Sequence, residues 1–122
     1  MRVESPAKLP SLNEYVRACR SNAYAGAKMK KVYQEIISWY LMKMPKINKP
    51  IYIHFHWIEA NKMRDLDNIA FGKKFILDAM QEMGIIPNDN QKYIKGFTDT
   101  FEYAKQNKVI LEITEANNDT ER

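Results

Sequence analysis

The chain has one cysteine, Cys19, so no internal disulfide can form. A lone thiol fits a reducing compartment. No apolar run approaches the roughly 18 residues that a membrane-spanning helix needs, so no membrane partner is expected. The opening MRVESPAKLPSL has charges and prolines where a secretory signal has an apolar stretch, and is not expected to act as one. There is no internal repeat, low-complexity stretch or mid-chain linker. One domain over residues 1–122 is therefore expected. Pro6 and Pro10 make the N-terminal arm extended or irregular. Residues 1–8 and 115–122 read as flexible ends.

Apolar residues form 45% of the chain, enough for a core and too many for a disordered segment. The formal net charge is +4 and the pI about 9.1. That excess of cations favours a polyanionic partner such as nucleic acid.

Met29, Val32, Tyr33, Ile36, Ile37, Tyr40, Leu41 and Met44 recur at steps of three and four, which predicts a helix over 26–44 ending at Pro45. Trp39 and the tyrosines of this segment read as core residues. IYIHFHW alternates Ile51, Ile53, Phe55 and Trp57 against Tyr52, His54 and His56, a strand over 51–57. The histidines share one face, but no cysteine cluster or third histidine exists to complete a zinc site, so they read as ordinary strand residues. A second helix is expected over 68–83, stopped by Gly84. The loop IIPNDNQ precedes a strand over 93–103, a turn AKQN, and a hairpin partner over 109–114. The order arm–α–β–α–β–β gives an α+β fold, a small mixed sheet packed with two main helices.

The segment that carries chemistry is Arg64-Asp65-Leu66-Asp67-Asn68, with Asn88-Asp89-Asn90 further on. In an extended backbone Asp65 and Asp67 point to one side. Two such carboxylates repel unless a cation lies between them, and hard cations such as Mg²⁺ prefer oxygen ligands. Asp89 could close the set. The alternative is that Asp67 caps a helix starting at Asn68, while Asp65 is solvated and Asp89 is a turn residue. On a continuous helix Lys74 would share a face with Asp67, about 10 Å up the axis. It could equally pair with Asp78 four residues on. Lys73 lies on another face.

DLDN, a helix ending in LDAM, then GII and NDNQ, together with the early PSLNEY, resemble the RusA-type Holliday-junction resolvases of phages and prophages. The likeness spans roughly residues 9–113. It implies a homodimer that nicks four-way DNA junctions in pairs, using Mg²⁺ with Mn²⁺ as an alternative ion, in the cytoplasm of a bacterial or phage-infected cell. It further implies Asp65, Asp67 and Asp89 as metal ligands and catalytic residues, and Lys74 as the site's lysine. Two departures stand out. Counted from Asp67, the family lysine would fall on Phe71, so this chain has about one extra helical turn and Lys73 is a second candidate. Asn88 stands where the family has the first of two aspartates.

Acidic sites repel DNA, so cations must surround them. Asn13, Arg17, Arg20, Lys62, Arg64 and Lys73 are the candidate DNA contacts, with Arg64 foremost because it adjoins the acidic pair. Lys28, Lys30 and Lys31 add to the basic surface or form a solvated helix face. The rival readings are a non-catalytic module that binds branched DNA, and a nuclease for flaps or RNA.

Overall fold

A computed structural model describes residues 1–5, 8–87 and 92–116. The elements are β1 (Arg2–Ser5), α1 (Leu12–Ser21), α2 (Ala23–Leu41), β2 (Ile51–Glu59), α3 (Leu66–Ala70), α4 (Lys73–Glu82), β3 (Ile94–Tyr103) and β4 (Lys108–Glu115). The four strands form one mixed sheet in the order β1-β4-β2-β3, with β2 and β3 parallel and the other neighbours antiparallel. Helices and this sheet make the expected α+β fold. No helix among the described residues is long and apolar enough to cross a membrane.

The alternation read in β2 places Ile51, Ile53, Phe55 and Trp57 in the core, each at most 3% exposed. The register with β4 sets Ile53 beside Ile113, Phe55 beside Leu111 and Trp57 beside Val109, a continuous apolar layer. Ile37 and Leu41 of α2, and Phe75, Ile76, Ala79 and Met80 of α4, join the same core. On the opposite face His54 bonds the hydroxyls of Thr98 and Thr100, while His56 bonds Thr100 and the Glu102 carboxylate. The histidines are thus strand residues held by neighbours on β3, as expected.

Several boundaries differ from the sequence reading. The N-terminal arm is not irregular throughout: residues 2–5 form an edge strand on β4. A helix absent from that reading, α1, begins at a capping box, in which Ser11 Oγ accepts from Glu14 N and Glu14 Oε1 from Ser11 N, both at 3.1 Å. The first long helix runs over 23–41, ahead of the expected 26–44. Trp39 is 73% exposed and outside the core. The helix expected over 68–83 is two helices. At the break Gly72 N bonds Ile69 O, and Lys74 N bonds Phe71 O, the tighter spacing of three residues instead of four. Gly84, past the end of α4, has φ +74, the left-handed turn that glycine adopts freely.

The hairpin expected between β3 and β4 does not form, because β2 lies between them. Their connection arches over the end of β2. Ala104 N bonds Glu59 O at 3.0 Å, and Ala60 N bonds Asn107 Oδ1 at 2.9 Å. The parallel pairing of β2 with β3 suits the long crossover through α3 and α4. Residues 115 and 116 belong to the ordered sheet region, where Ala116 N bonds Pro50 O at 2.8 Å.

The break at Gly72 is also a point of close packing. A Cβ there would lie 3.0 Å from both Leu9 Cβ and Leu9 Cδ1 and 3.2 Å from Trp57 Cζ3. Alanine would stabilise by about 0.4–1 kcal/mol by making the unfolded chain less flexible, but overpacking costs about 1–3 kcal/mol. Gly72→Ala should therefore lower unfolding stability by about 1 kcal/mol, and Gly72→Val by more. Urea titration checks this; a stabilised Gly72→Ala would mean that Leu9 yields freely.

Candidate functional site

The start of α3 presents the acidic pair. Asp65 is the N-cap, extended at φ −69 and ψ 154, and its side chain makes no capping bond. Asp67 sits in the first helical turn. The helix thus starts ahead of the expected Asn68, and Asp65 takes the cap position considered for Asp67. The two carboxylates do not share an extended backbone. Both are exposed, and neither has a hydrogen-bond or ion-pair partner among the described residues. Asp89, with Asn88 and Asn90, lies outside the described residues. Among those that are described, no three His, Cys, Asp or Glu side chains gather as a metal site.

Around this pair the candidate cations divide into committed and free. Arg64 is committed. Its Nε and Nη2 donate to the two oxygens of Glu59 at 3.0 and 2.9 Å, and Nη1 donates to Leu9 O at 2.8 Å. The Arg64 side chain is 12% exposed and that of Glu59 8%. This is a buried fork clamping the end of β2 to the segment before α1, not a surface cation poised for phosphate. Lys74 is drawn away as well, pairing with Asp78 at 3.3 Å. The helical break removes the face that Lys74 would share with Asp67 on a continuous helix. Lys30 reaches the same Asp78 at 3.0 Å. That hydrogen bond holds the Lys30 ammonium pKa above its usual value, against the opposing effect of burial.

Lys73 turns toward the sheet. Its Nζ lies 2.9 Å from Asp99 Oδ2, and rests over the rings of Phe55 and Phe97 at 5.1 and 4.7 Å. Trp57 Nε1 donates to the other oxygen, Asp99 Oδ1, at 2.8 Å. Asp99 escaped the sequence reading. Its signal was a carboxylate on the same strand face as Phe97 and Phe101, a position where charge persists only with partners. Of the two lysines considered, Lys73 is the one in a part-buried, oriented setting.

The chain matches no protein-family model and no curated protein. What relates these residues is therefore their own packing. Leu9 receives Arg64 through its carbonyl and faces Gly72 through its side chain, and Gly72 also faces Trp57, which binds Asp99. The start of α1 docks on α3, where Asn13 N donates to Asn68 Oδ1 at 3.1 Å. From Asn13 the exposed face of α1 continues through Arg17 and Arg20, at helical steps of four and three. Neither arginine has an ion pair among the described residues. Lys62 is exposed and sits over the Tyr103 ring at 5.1 Å. Tyr15 packs on Phe71 and Phe75, whereas Tyr24 is 77% exposed.

Proposed function

We propose that the chain is a Mg²⁺-dependent endodeoxyribonuclease that resolves four-way DNA junctions by paired nicks, acting as a homodimer. The observation that carries this reading is the state of Asp65 and Asp67. In a chain of net charge +4, two carboxylates two residues apart have no hydrogen-bond or ion-pair partner among the described residues, while the adjoining Arg64 is bound to Glu59. Exposed oxygen donors without a cationic side chain suit a hard divalent ion that keeps several of its waters. The motif resemblance points to the same residues and adds Asp89. It also supports branched DNA as substrate and the cytoplasm of a bacterial or phage-infected cell as the setting.

The two carboxylates, with Asp89, would hold Mg²⁺ or Mn²⁺, which when bound supplies Lewis acidity and a more acidic water. The other roles fall to the chain's own groups. Asn13, Arg17 and Arg20 line up from the acidic pair along α1 and would seat successive phosphates, fixing the strand without reading sequence. Lys62 would extend that basic surface. Lys73, paired with Asp99 as Lys74 is with Asp78, would be the lysine that meets charge growing on a phosphate oxygen. Lys74 serves Asp78.

The test is a panel of four-way junction, flap, duplex and RNA substrates, with and without Mg²⁺. Symmetric nicks in the junction only with the ion are expected. Junction binding without cleavage in Mg²⁺ or Mn²⁺ would make the chain a binding module. Preferential cutting of flaps or RNA would change the substrate.

A further inference from the structure

One face of α2 is open and carries residues suited to contact. Tyr24, Lys28, Lys31, Val32, Glu35 and Trp39 follow one another at steps of four, three, one, three and four, which at about 100° per residue is a single stripe. The opposite side holds the buried Gly26, Ile37 and Leu41. Tyr24 and Trp39 are 77% and 73% exposed, and Val32 is 43%. Large aromatic side chains are rarely left so open, and contiguous exposed apolar surface marks interaction sites. The charges on this face are also unmatched. Lys30, off the stripe, has Asp78, but Lys28, Lys31 and Glu35 have no ion-pair partner among the described residues.

The stripe is complementary to itself. Tyr24 and Trp39 lie equally far on either side of the midpoint between Lys31 and Val32, each roughly 11 Å away at 1.5 Å per residue. Lys28 and Glu35 lie equally far on either side of the same midpoint, each roughly 5 Å away. A two-fold axis through that midpoint brings an antiparallel second α2 against the first. Tyr24 then meets Trp39 of the partner subunit, and Lys28 meets Glu35 of the partner subunit, each contact made twice. The surface relief agrees with this pairing. A hollow of about 440 Å³ lies against Tyr24, Lys28, Lys31 and Val32, and one of about 330 Å³ against Trp39, Met42 and Met83.

We infer that the outer face of α2 is an isologous dimer interface whose occupant is the α2 of a second copy of this chain. A nucleic-acid strand fits the face less well, because Glu35 stands between the two aromatics and repels phosphate. The inference deepens the homodimer part of the function proposed above by naming the surface. It stands on the helix face alone, and its test needs neither DNA nor metal.

Sedimentation velocity of the full chain over roughly 1–200 μM should show reversible dimerisation. Lys28→Glu and Glu35→Lys each turn two attractive pairs into two repulsive ones, and each should raise the dimer Kd by about thirtyfold. Mixing the two single variants should give a heterodimer in which both pairs are opposite in sign again. The double reversal should return the Kd toward that of the wild type. Trp39→Ala should also weaken the dimer, without unfolding an exposed site. A chain that stays monomeric throughout this range overturns the inference, and so does a dimer indifferent to both reversals. Reversals that change DNA affinity but not self-association would assign the face to nucleic acid instead. Loss of junction cutting with dimerisation intact would leave the interface standing and remove only the nuclease reading.

Discussion

Asp67→Asn should yield a folded protein that no longer cuts junction DNA. The side chain is exposed and has no partner among the described residues. Its one structural service is a negative charge in the first turn of α3, worth about 0.3–1 kcal/mol at such a position. Unfolding stability should fall by no more than about that amount. Asp65→Asn should be milder still, since Asp65 makes no capping bond and asparagine caps as well as aspartate. Cleavage is a different matter. Replacing partners one shell outside a metal typically costs 10–100-fold, so loss of a direct carboxylate ligand should cost more than about a hundredfold in rate. The Asp65→Asn/Asp67→Asn pair should be no worse than either single change, because one missing ligand already disables a shared site. Junction binding without metal should be equal to or tighter than wild type, with less acid repulsion. Single-turnover cleavage in Mg²⁺, read beside near-ultraviolet circular dichroism, separates these effects. If both single variants cut at wild-type rate, the acidic pair is not the site.

The parts of the fold legible in the sequence were those set by local pattern. The alternation of Ile51, Ile53, Phe55 and Trp57 is a property of one strand and identifies its buried face without knowledge of its neighbours. Gly84 stops a helix by its own backbone freedom. Which strands pair is not local. Val109, Leu111 and Ile113 alternate in the same way beside β2 as they would beside β3, so the short AKQN connection suggested a hairpin, and the arch over Glu59 was hidden. The helix α1 has a local trace too: Leu12, Tyr15, Val16 and Cys19 stand at steps of three, one and three, behind Ser11 and Glu14 of the capping box, a short pattern on a segment with no fully buried residue. Trp39 was misjudged by residue type. It lies two positions from the buried Ile37, about 200° around the helix, on the open side. At the candidate site Asp65 and Asp67 were readable as a short acidic motif. Their relation to the lysines was not, because it depends on the helical break at Gly72, where packing against Leu9 and Trp57 decides the backbone path.

Arg64 gives the second large effect, on stability instead of catalysis. Its position before the acidic pair suggested a phosphate contact, in which case Arg64→Ala would flatten the salt dependence of junction binding by about one unit. The buried fork to Glu59, with Nη1 on Leu9 O, implies otherwise. With 12% and 8% of their side chains exposed, the two groups are little screened by solvent. Removing Arg64 strands the Glu59 carboxylate, 8% exposed, without its partner, at a cost of about 3–5 kcal/mol. Arg64→Met should therefore lower the unfolding free energy by roughly that amount, and Glu59→Met by less, since Arg64 keeps the Leu9 carbonyl and has Glu14 Oε1 at 3.7 Å. Arg64→Lys should rescue only part of the loss, since an ammonium cannot span both carboxylate oxygens and the Leu9 carbonyl together. The double variant Arg64→Met/Glu59→Met should be more stable than the two single losses added, because neither charge is then left alone. The signature is the combination: a positive coupling in the urea cycle, and an unchanged salt slope for junction binding measured below the unfolding transition. Additive losses would mean that Glu59 and Arg64 do not depend on each other. A slope reduced by about one unit would return Arg64 to the DNA surface.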